Sequence, residues 1–378
     1  MKAVINGKIV LKNGVVENKV IVFDKKIIDI CDEVPTNCEV IDAQRNYVCP
    51  GLIDIHIHGC KGFDAMDEDE NAVEIISKGL VETGVTSFLP TTMTMSPKRI
   101  YKAFDNIIKA KSKSIKGAKV LGAHMEGPFI NEKYKGAQNS KYIYSPSFDF
   151  IKDYTDIIKI ISYSPELDKN FEFIKKVKKE TDIVLSICHS DASYSIGKEA
   201  KDLGVTNITH LFNGMTPLNH RNPGVVGLGL MSDMYCELIA DKIHINPELF
   251  QFVIDSKGKD KLILITDSMR AGCMPDGEYD LGGQTVYVKN NSARIASGSL
   301  AGSVLTLNKA VYNFKENTNL NIYEAINLAS LNPAKSIKVD DKKGSLEIGK
   351  DADIAIFNDN MDCLATIVEG NITYNKIN

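Results

Sequence analysis

The chain of 378 residues has no tryptophan, only five arginines and only seven histidines. Its absences narrow the field before any motif is read. With aromatic residues at 7%, it lacks the usual material of a carbohydrate-binding platform. Lysine and arginine total 45 against 49 acidic residues, for a net charge of −4. No basic surplus exists to hold nucleic acid or an acidic membrane surface. No apolar run reaches the roughly 18–20 residues of a membrane span. The opening MKAVINGKIVLKNG lacks the apolar core of a signal peptide. Eight cysteines are scattered without a CxxC pair, in a chain long enough to need no disulfide staples. The expected compartment is therefore the cytoplasm, with reduced thiols. No GxSxG elbow and no P-loop spacing occurs. Ser297-Gly-Ser-Leu-Ala-Gly302 matches no phosphate-cradling pattern and reads as a surface loop.

What is present divides into ends and middle. Both ends read as short strands interrupted by polar turns: Ala3–Leu11, Val15–Phe23, Lys26–Cys31 and Glu39–Ala43, then Asp353–Phe357, Ala365–Glu369 and Ile372–Tyr374. Neither end can bury a core alone. Residues 1–49 and 345–378 are expected to pack together as one small β domain. Residues 50–344 alternate apolar runs with helical patterns. The runs are Leu52–His58, Thr86–Pro90, Val120–Glu126, Ile158–Ser164, Ile183–His189, Ile208–Phe212, Cys236–Asp241 and Leu262–Asp267. Continuous apolar strands alternating with helices predict a parallel sheet covered on both faces. Eight repeats predict a (β/α)₈ barrel, whose site sits where the strands end.

The polar residues gather at those ends. His56 and His58, two apart on a strand, share one side and make a metal half-site or merely a polar strand terminus. Glu126 is expected to face the mouth, where an inward carboxylate needs a metal or a salt-bridge partner. His124 is either a ligand or a support behind the site. His189 and His210 each end an apolar run and singly are as much core histidines as ligands. With Glu126 they supply one carboxylate and two imidazoles and leave a position for water. That set suits catalytic Zn²⁺ or Fe²⁺. Asp267 closes a Leu-Ile-Leu-Ile-Thr run as a general base, a further ligand or a helix cap. Arg221 is either a solvated loop charge or a bidentate grip on phosphate.

Five segments carry a resemblance: Pro50-Gly-Leu-Ile-Asp-Ile-His-Ile-His-Gly59, His124-Met-Glu-Gly-Pro-Phe129, Cys188-His-Ser-Asp-Ala192, Thr209-His-Leu-Phe-Asn-Gly-Met215 and Ile265-Thr-Asp267. On these the chain resembles the amidohydrolase superfamily. Within it, over nearly the whole length, it is similar to the branch that deacetylates N-acetylglucosamine-6-phosphate. The resemblance implies an α/β fold, a metal-dependent TIM barrel carrying a small β-sandwich made from both termini. It implies Glu126, His189 and His210 as the main metal ligands, His56 and His58 as a second site, and Asp267 as general base and acid. One or two divalent ions per subunit, zinc or iron, follow. Substrate contacts are implied at Ala137, Gln138, Asn213, Gly214, Arg221, Asp241, His244, Leu300, Ala301 and Gly302. A homodimer, or a tetramer, sharing the phosphate site between subunits is implied as well. Gln138 stands where some relatives carry a histidine that polarises the acetyl carbonyl; a second metal would then share that work. Other activities remain open: deacetylation of the galactosamine epimer, hydrolysis of another small N-acyl substrate, or an inactive barrel with an assembly role.

Overall fold

A computed structural model describes residues 1–377; Asn378, the last residue of the expected β domain, lies outside the described residues. Eight parallel strands follow one another in space as in sequence: β1 (Leu52–Ile57), β2 (Val85–Thr92), β3 (Ala123–Glu126), β4 (Ile158–Tyr163), β5 (Val184–Ile187), β6 (Asn207–Ile208), β7 (Tyr235–Ile239) and β8 (Leu262–Ile265). A short strand, Lys119–Val120, adds a further pairing beside β2. Each neighbouring pair from β1 to β8 is parallel. Closure comes just past β8, where Asp267 N donates to His56 O and His58 N donates to Ser268 O, both at 2.9 Å. The expected barrel is present.

Its strands are apolar throughout because helices cover them outside and side chains fill them inside. Two helices show how sequence drives this. Ala72–Leu80 buries Val73, Ile76 and Leu80 on one face. Pro97–Ser112 opens with proline at its first turn, where no donor is needed, and buries Ile100, Phe104 and Ile107.

The ends form two sheets. One comprises Lys2–Ile5, Val20–Phe23, Ile27–Cys31 and Glu39–Asp42; the other comprises Lys8–Leu11, Gly14–Val16, Tyr47–Pro50, Ile354–Phe357, Cys363–Val368 and Asn371–Asn375. Between them lie Val4, Ile21, Phe23, Ile354, Ile356 and Ile367, all buried. Each such side chain contributes roughly 1.5–3 kcal/mol of burial. Two expected strands prove to be four. Ala3–Leu11 breaks at Asn6, with φ of 53°, and Val15–Phe23 breaks at Asn18, with φ of 57°. At each break the chain crosses from one sheet to the other, which an uninterrupted strand cannot do.

One element escaped the sequence reading. After β8 come β9 (Gly277–Leu281), β10 (Gln284–Lys289) and β11 (Ser292–Ile295), an antiparallel sheet inserted before the next helix. Its turns are Gly282-Gly283 and Asn290-Asn291, all with positive φ from 52° to 85°. Such pairs are the signature of tight hairpins and were the available signal.

Candidate metal centre and active site

The imidazoles reach the barrel mouth by two routes. His56 lies at the end of β1 and His58 just past it, and the two share a face through the two-residue period. β5 and β6 end at Ile187 and Ile208; His189 and His210 follow in left-handed backbone, with φ of 44° and 31°. Asp267, beyond β8, has φ of 48°. Each such residue costs on the order of 1 kcal/mol, and hydrogen bonds hold it there. Asn131 N donates to His189 O at 2.8 Å, Asn213 N to His210 O at 2.9 Å, and Ser303 N to Asp267 O at 2.7 Å.

Every imidazole is fixed from behind. Nδ1 donates to Glu237 Oε2 in His56 (3.0 Å), to Thr91 O in His58 (3.2 Å), to Tyr134 O in His189 (2.7 Å) and to Asn213 O in His210 (3.0 Å). These oxygens only accept, so each ring turns Nε2 forward as its second nitrogen. All four Nε2 atoms meet Glu126. Those of His189 and His210 lie 3.2 and 3.1 Å from Oε1, that of His56 3.7 Å from Oε1, and that of His58 3.4 Å from Oε2. Asp267 Oδ1 lies 3.1 Å from His58 Nε2 and 3.5 Å from His56 Nε2. With Nδ1 carrying the proton, a neutral ring points a lone pair at each carboxylate oxygen. Either protons or a cation must sit among them.

The residues fit a divalent ion. Metal–ligand distances of about 2.0–2.2 Å give tetrahedral ligand–ligand edges of roughly 3.3–3.6 Å, close to the spacings around Glu126 Oε1. His56 Nε2 is fully buried and has no hydrogen-bond partner, as does Glu237 Oε1 behind it. Against the opposing effect of burial, the facing carboxylates raise His56, His58 and His189 above the ordinary imidazole value. Burial opposes charge on His56, yet Asp267, Glu237 and Glu126 raise it to about 9. Burial also opposes charge on Glu126, but His189, His210 and His58 hold its carboxyl well below the usual range.

His124 lies beneath this layer rather than in it. Its Nδ1 donates to Ile55 O at 2.8 Å, so Nε2 accepts from the Ser162 hydroxyl at 2.7 Å. Burial and the nearby His56 keep it well below its ordinary value, hence neutral. Asp54, also buried, takes the Thr266 hydroxyl at 2.6 Å and the His56 amide at 3.2 Å, tying β1 to β8 under Asp267.

Above the cluster opens a cavity of about 380 Å³. Of the expected substrate contacts, Ala137, Gln138, Asn213, Gly214, His244, Leu300 and Gly302 line it, with His58, Glu126, His189, His210 and Asp267 at its floor. Gly214 has φ of 58°, and a Cβ there would lie 2.7 Å from His189 Nδ1. Gln138 is doubly engaged: Nε2 donates to Glu126 Oε2 at 2.8 Å, and Oε1 accepts from Thr94 N at 2.9 Å. It orients the carboxylate. Asp241 sits behind His244, accepting from Nδ1 at 2.7 Å, and does not itself line the cavity. Ala301 is buried off the cavity, its amide committed to Ala293 O. Arg221 is exposed in the Asn219–Asn222 turn and does not line the cavity of its own chain.

The sequence reading missed Glu237, although an acidic residue inside the apolar run Tyr235-Cys-Glu-Leu-Ile239 was a usable signal. It also missed the roof. Leu281 and Arg294 of the inserted sheet line the cavity, together with Gly298 and Ser299. Arg294 donates to Gly298 O at 2.7 Å, and Gln284 donates to Ala137 O at 2.5 Å. The segment read as a surface loop is therefore partly a wall of the cavity.

Comparison with known proteins agrees with this geometry. The chain is 39% identical to the N-acetylglucosamine-6-phosphate deacetylase of Bacillus subtilis (strain 168), covering 98% of this chain and 96% of that one. It is 33% identical to the N-acetylgalactosamine-6-phosphate deacetylase of Escherichia coli O157:H7, over 89% of this chain and 90% of that one. The crystal structure of N-acetylglucosamine-6-phosphate deacetylase from Pasteurella multocida superposes with a TM-score of 0.93 at 31% identity, covering 98% and 99% of the two chains. Residues 47–373 match the model of the amidohydrolase family, and with a closed parallel barrel and its histidines and carboxylates gathered at one rim, the chain belongs to that family.

Proposed function

We propose that this chain hydrolyses the N-acetyl amide of N-acetylglucosamine-6-phosphate to glucosamine-6-phosphate and acetate, in amino-sugar catabolism. The observation that carries the proposal is the convergence of four Nε2 atoms and two carboxylates at one cavity, three of the histidines on its floor and His56 buried beneath them. Near-full-length likeness to deacetylases of this substrate supports it.

Glu126, His189 and His210 would hold one divalent ion, and His56 and His58, with Glu126 and Asp267 beside them, a second; zinc or ferrous iron suits both sets. Bound there, such an ion acidifies water toward a pKa of about 7 and polarises a carbonyl oxygen. The chain's own residues supply the rest. Asp267 Oδ1 takes the proton of the attacking water and returns it to the departing nitrogen. That return matters because an amide anion is a very poor leaving group. Gln138 holds Glu126 in position. His244, its Nδ1 tied to Asp241, leaves Nε2 for the sugar phosphate. Asn213, Gly214, Ala137, Leu300 and Gly302 shape the sugar subsite. Arg221, exposed and outside its own cavity, is assigned to the phosphate of a second subunit across a homodimer or tetramer. Eight free cysteines, and no helix among the described residues long and apolar enough to cross a membrane, support a cytoplasmic setting.

Acetate release from the phosphorylated sugar, with and without chelator, tests the reading. Chelator-insensitive turnover, or none, overturns it. A parallel assay on N-acetylgalactosamine-6-phosphate tests the one alternative with an observation behind it, the 33% identity to a deacetylase of that epimer. A single ion per chain at full activity removes the second metal. Against an inactive assembly barrel stand the histidines and carboxylates the chain retains in groups that could hold an ion.

A further inference from the structure

The mechanism above leaves one nucleophilic group at the metal centre without a task. Cys188 is fully buried, and its Sγ lies 3.4 Å from His210 Nε2 and 3.8 Å from Glu126 Oε1. Ligand atoms of Glu126, Cys188, His189 and His210 all lie within 4.8 Å of one another. The backbone explains how adjacent residues both reach the site. Ser186, two residues before Cys188 on β5, points into the barrel, where its hydroxyl meets Thr209 Oγ1 at 2.6 Å. The two-residue period carries Cys188 to the same inner side. His189 would then point away, but its left-handed φ of 44° swings it back over the mouth. A second observation points to a ligand here: fully buried His56 Nε2, unpartnered, faces the same Glu126 oxygen at 3.7 Å.

We propose that Cys188 is a further protein ligand of the ion held by Glu126, His189 and His210, making that centre a carboxylate–imidazole–thiolate site. The inference rests on the metal reading above and adds its softest donor. On coordination the Sγ–H bond breaks, the proton leaves to solvent, and a sulfur lone pair binds the metal; nothing is oxidised or reduced. Sulfur at an observed 3.4 Å from an imidazole nitrogen suits a metal–sulfur distance of about 2.3 Å beside a metal–nitrogen distance of about 2.0–2.1 Å. A thiolate shifts preference toward zinc, ferrous iron and cobalt, and away from magnesium and manganese.

The test is cobalt substitution of the full chain, read by absorption and elemental analysis. Cobalt-loaded protein is expected to show intense near-ultraviolet thiolate-to-cobalt charge transfer. Cys188→Ala and Cys188→Ser, each checked for a native melting transition, are expected to lose that band while still binding cobalt. Their zinc affinity should fall at least about tenfold, with manganese affinity little changed. Cobalt bound without the band, or a band that survives in both variants, overturns the proposal and leaves the metal reading standing. No stoichiometric cobalt in the unsubstituted protein overturns both.

Discussion

The charge cluster around Lys343 and the one around Glu126 are finished differently. At the junction of barrel and terminal sheets, Lys343 Nζ meets Asp353 Oδ2 at 2.7 Å and Asp351 Oδ2 at 3.0 Å. Asp353 Oδ1 accepts from Glu369 N at 2.8 Å. The protein closes this network with its own atoms. At the barrel mouth, Glu126 and Asp267 face four Nε2 atoms, and His56 Nε2 and Glu237 Oε1 have no hydrogen-bond partner. The first cluster is complete as folded. The second leaves ligand atoms facing one another that a cation or protons must bridge. A buried set of donors left open in this way marks chemistry rather than stability.

Substitutions can break or sharpen that contrast. The largest effect is expected from Asp267→Asn, which keeps charge-independent packing but removes the proton carrier. Turnover should fall by about 10²–10⁴-fold while metal content stays near normal; elemental analysis beside steady-state kinetics checks both. Near-normal turnover would remove Asp267 from its role.

Next comes Lys343→Met, which takes the paired cation from buried Asp353 and from half-buried Asp351 beside it. Urea denaturation should show a loss of about 3–5 kcal/mol, with turnover per folded molecule unchanged. A loss below about 1 kcal/mol would mean that water already completes the junction.

Metal removal separates the clusters directly. Zinc added back at about 100 times its dissociation constant should restore roughly 2.7 kcal/mol, in the Lys343→Met variant as in the parent. Melting curves that ignore chelator would deny the mouth its dependence on a cation.

The smallest effect is expected from Glu237→Gln, which weakens the anchor behind His56. The affinity of the ion at His56 and His58 should fall about 10–100-fold, with the Glu126, His189 and His210 site little changed. Equal loss at both sites would make Glu237 a packing residue instead.

The barrel was legible because its strands are continuous apolar runs that end in polar residues, from Leu52-Ile-Asp-Ile-His-Ile-His58 to Leu262-Ile-Leu-Ile-Thr-Asp267. Each boundary fell within a few residues of the structure. His56, His58, Glu126, His189, His210 and Asp267 were named from those ends, and the structure brings them to one point. The inserted sheet was not read, because its residues alternate on a surface element that buries little and has no long apolar run. Of the expected substrate contacts, Asp241 and Ala301 stand behind the cavity lining rather than in it. His244, three residues past Asp241, and Leu300, next to Ala301, line the cavity, and sequence position alone does not separate a wall residue from the one behind it.

The sequence by itself determined the layers, the ligand types and the strand ends that carry them, because periodicity and hydrophobicity are local properties. Tertiary structure alone decided which nitrogen each histidine turns inward, since that depends on an acceptor up to 181 residues away, as Glu237 is from His56. It also decided that adjacent Cys188 and His189 reach the same Glu126 oxygen, through one left-handed residue that no pattern of side chains announces.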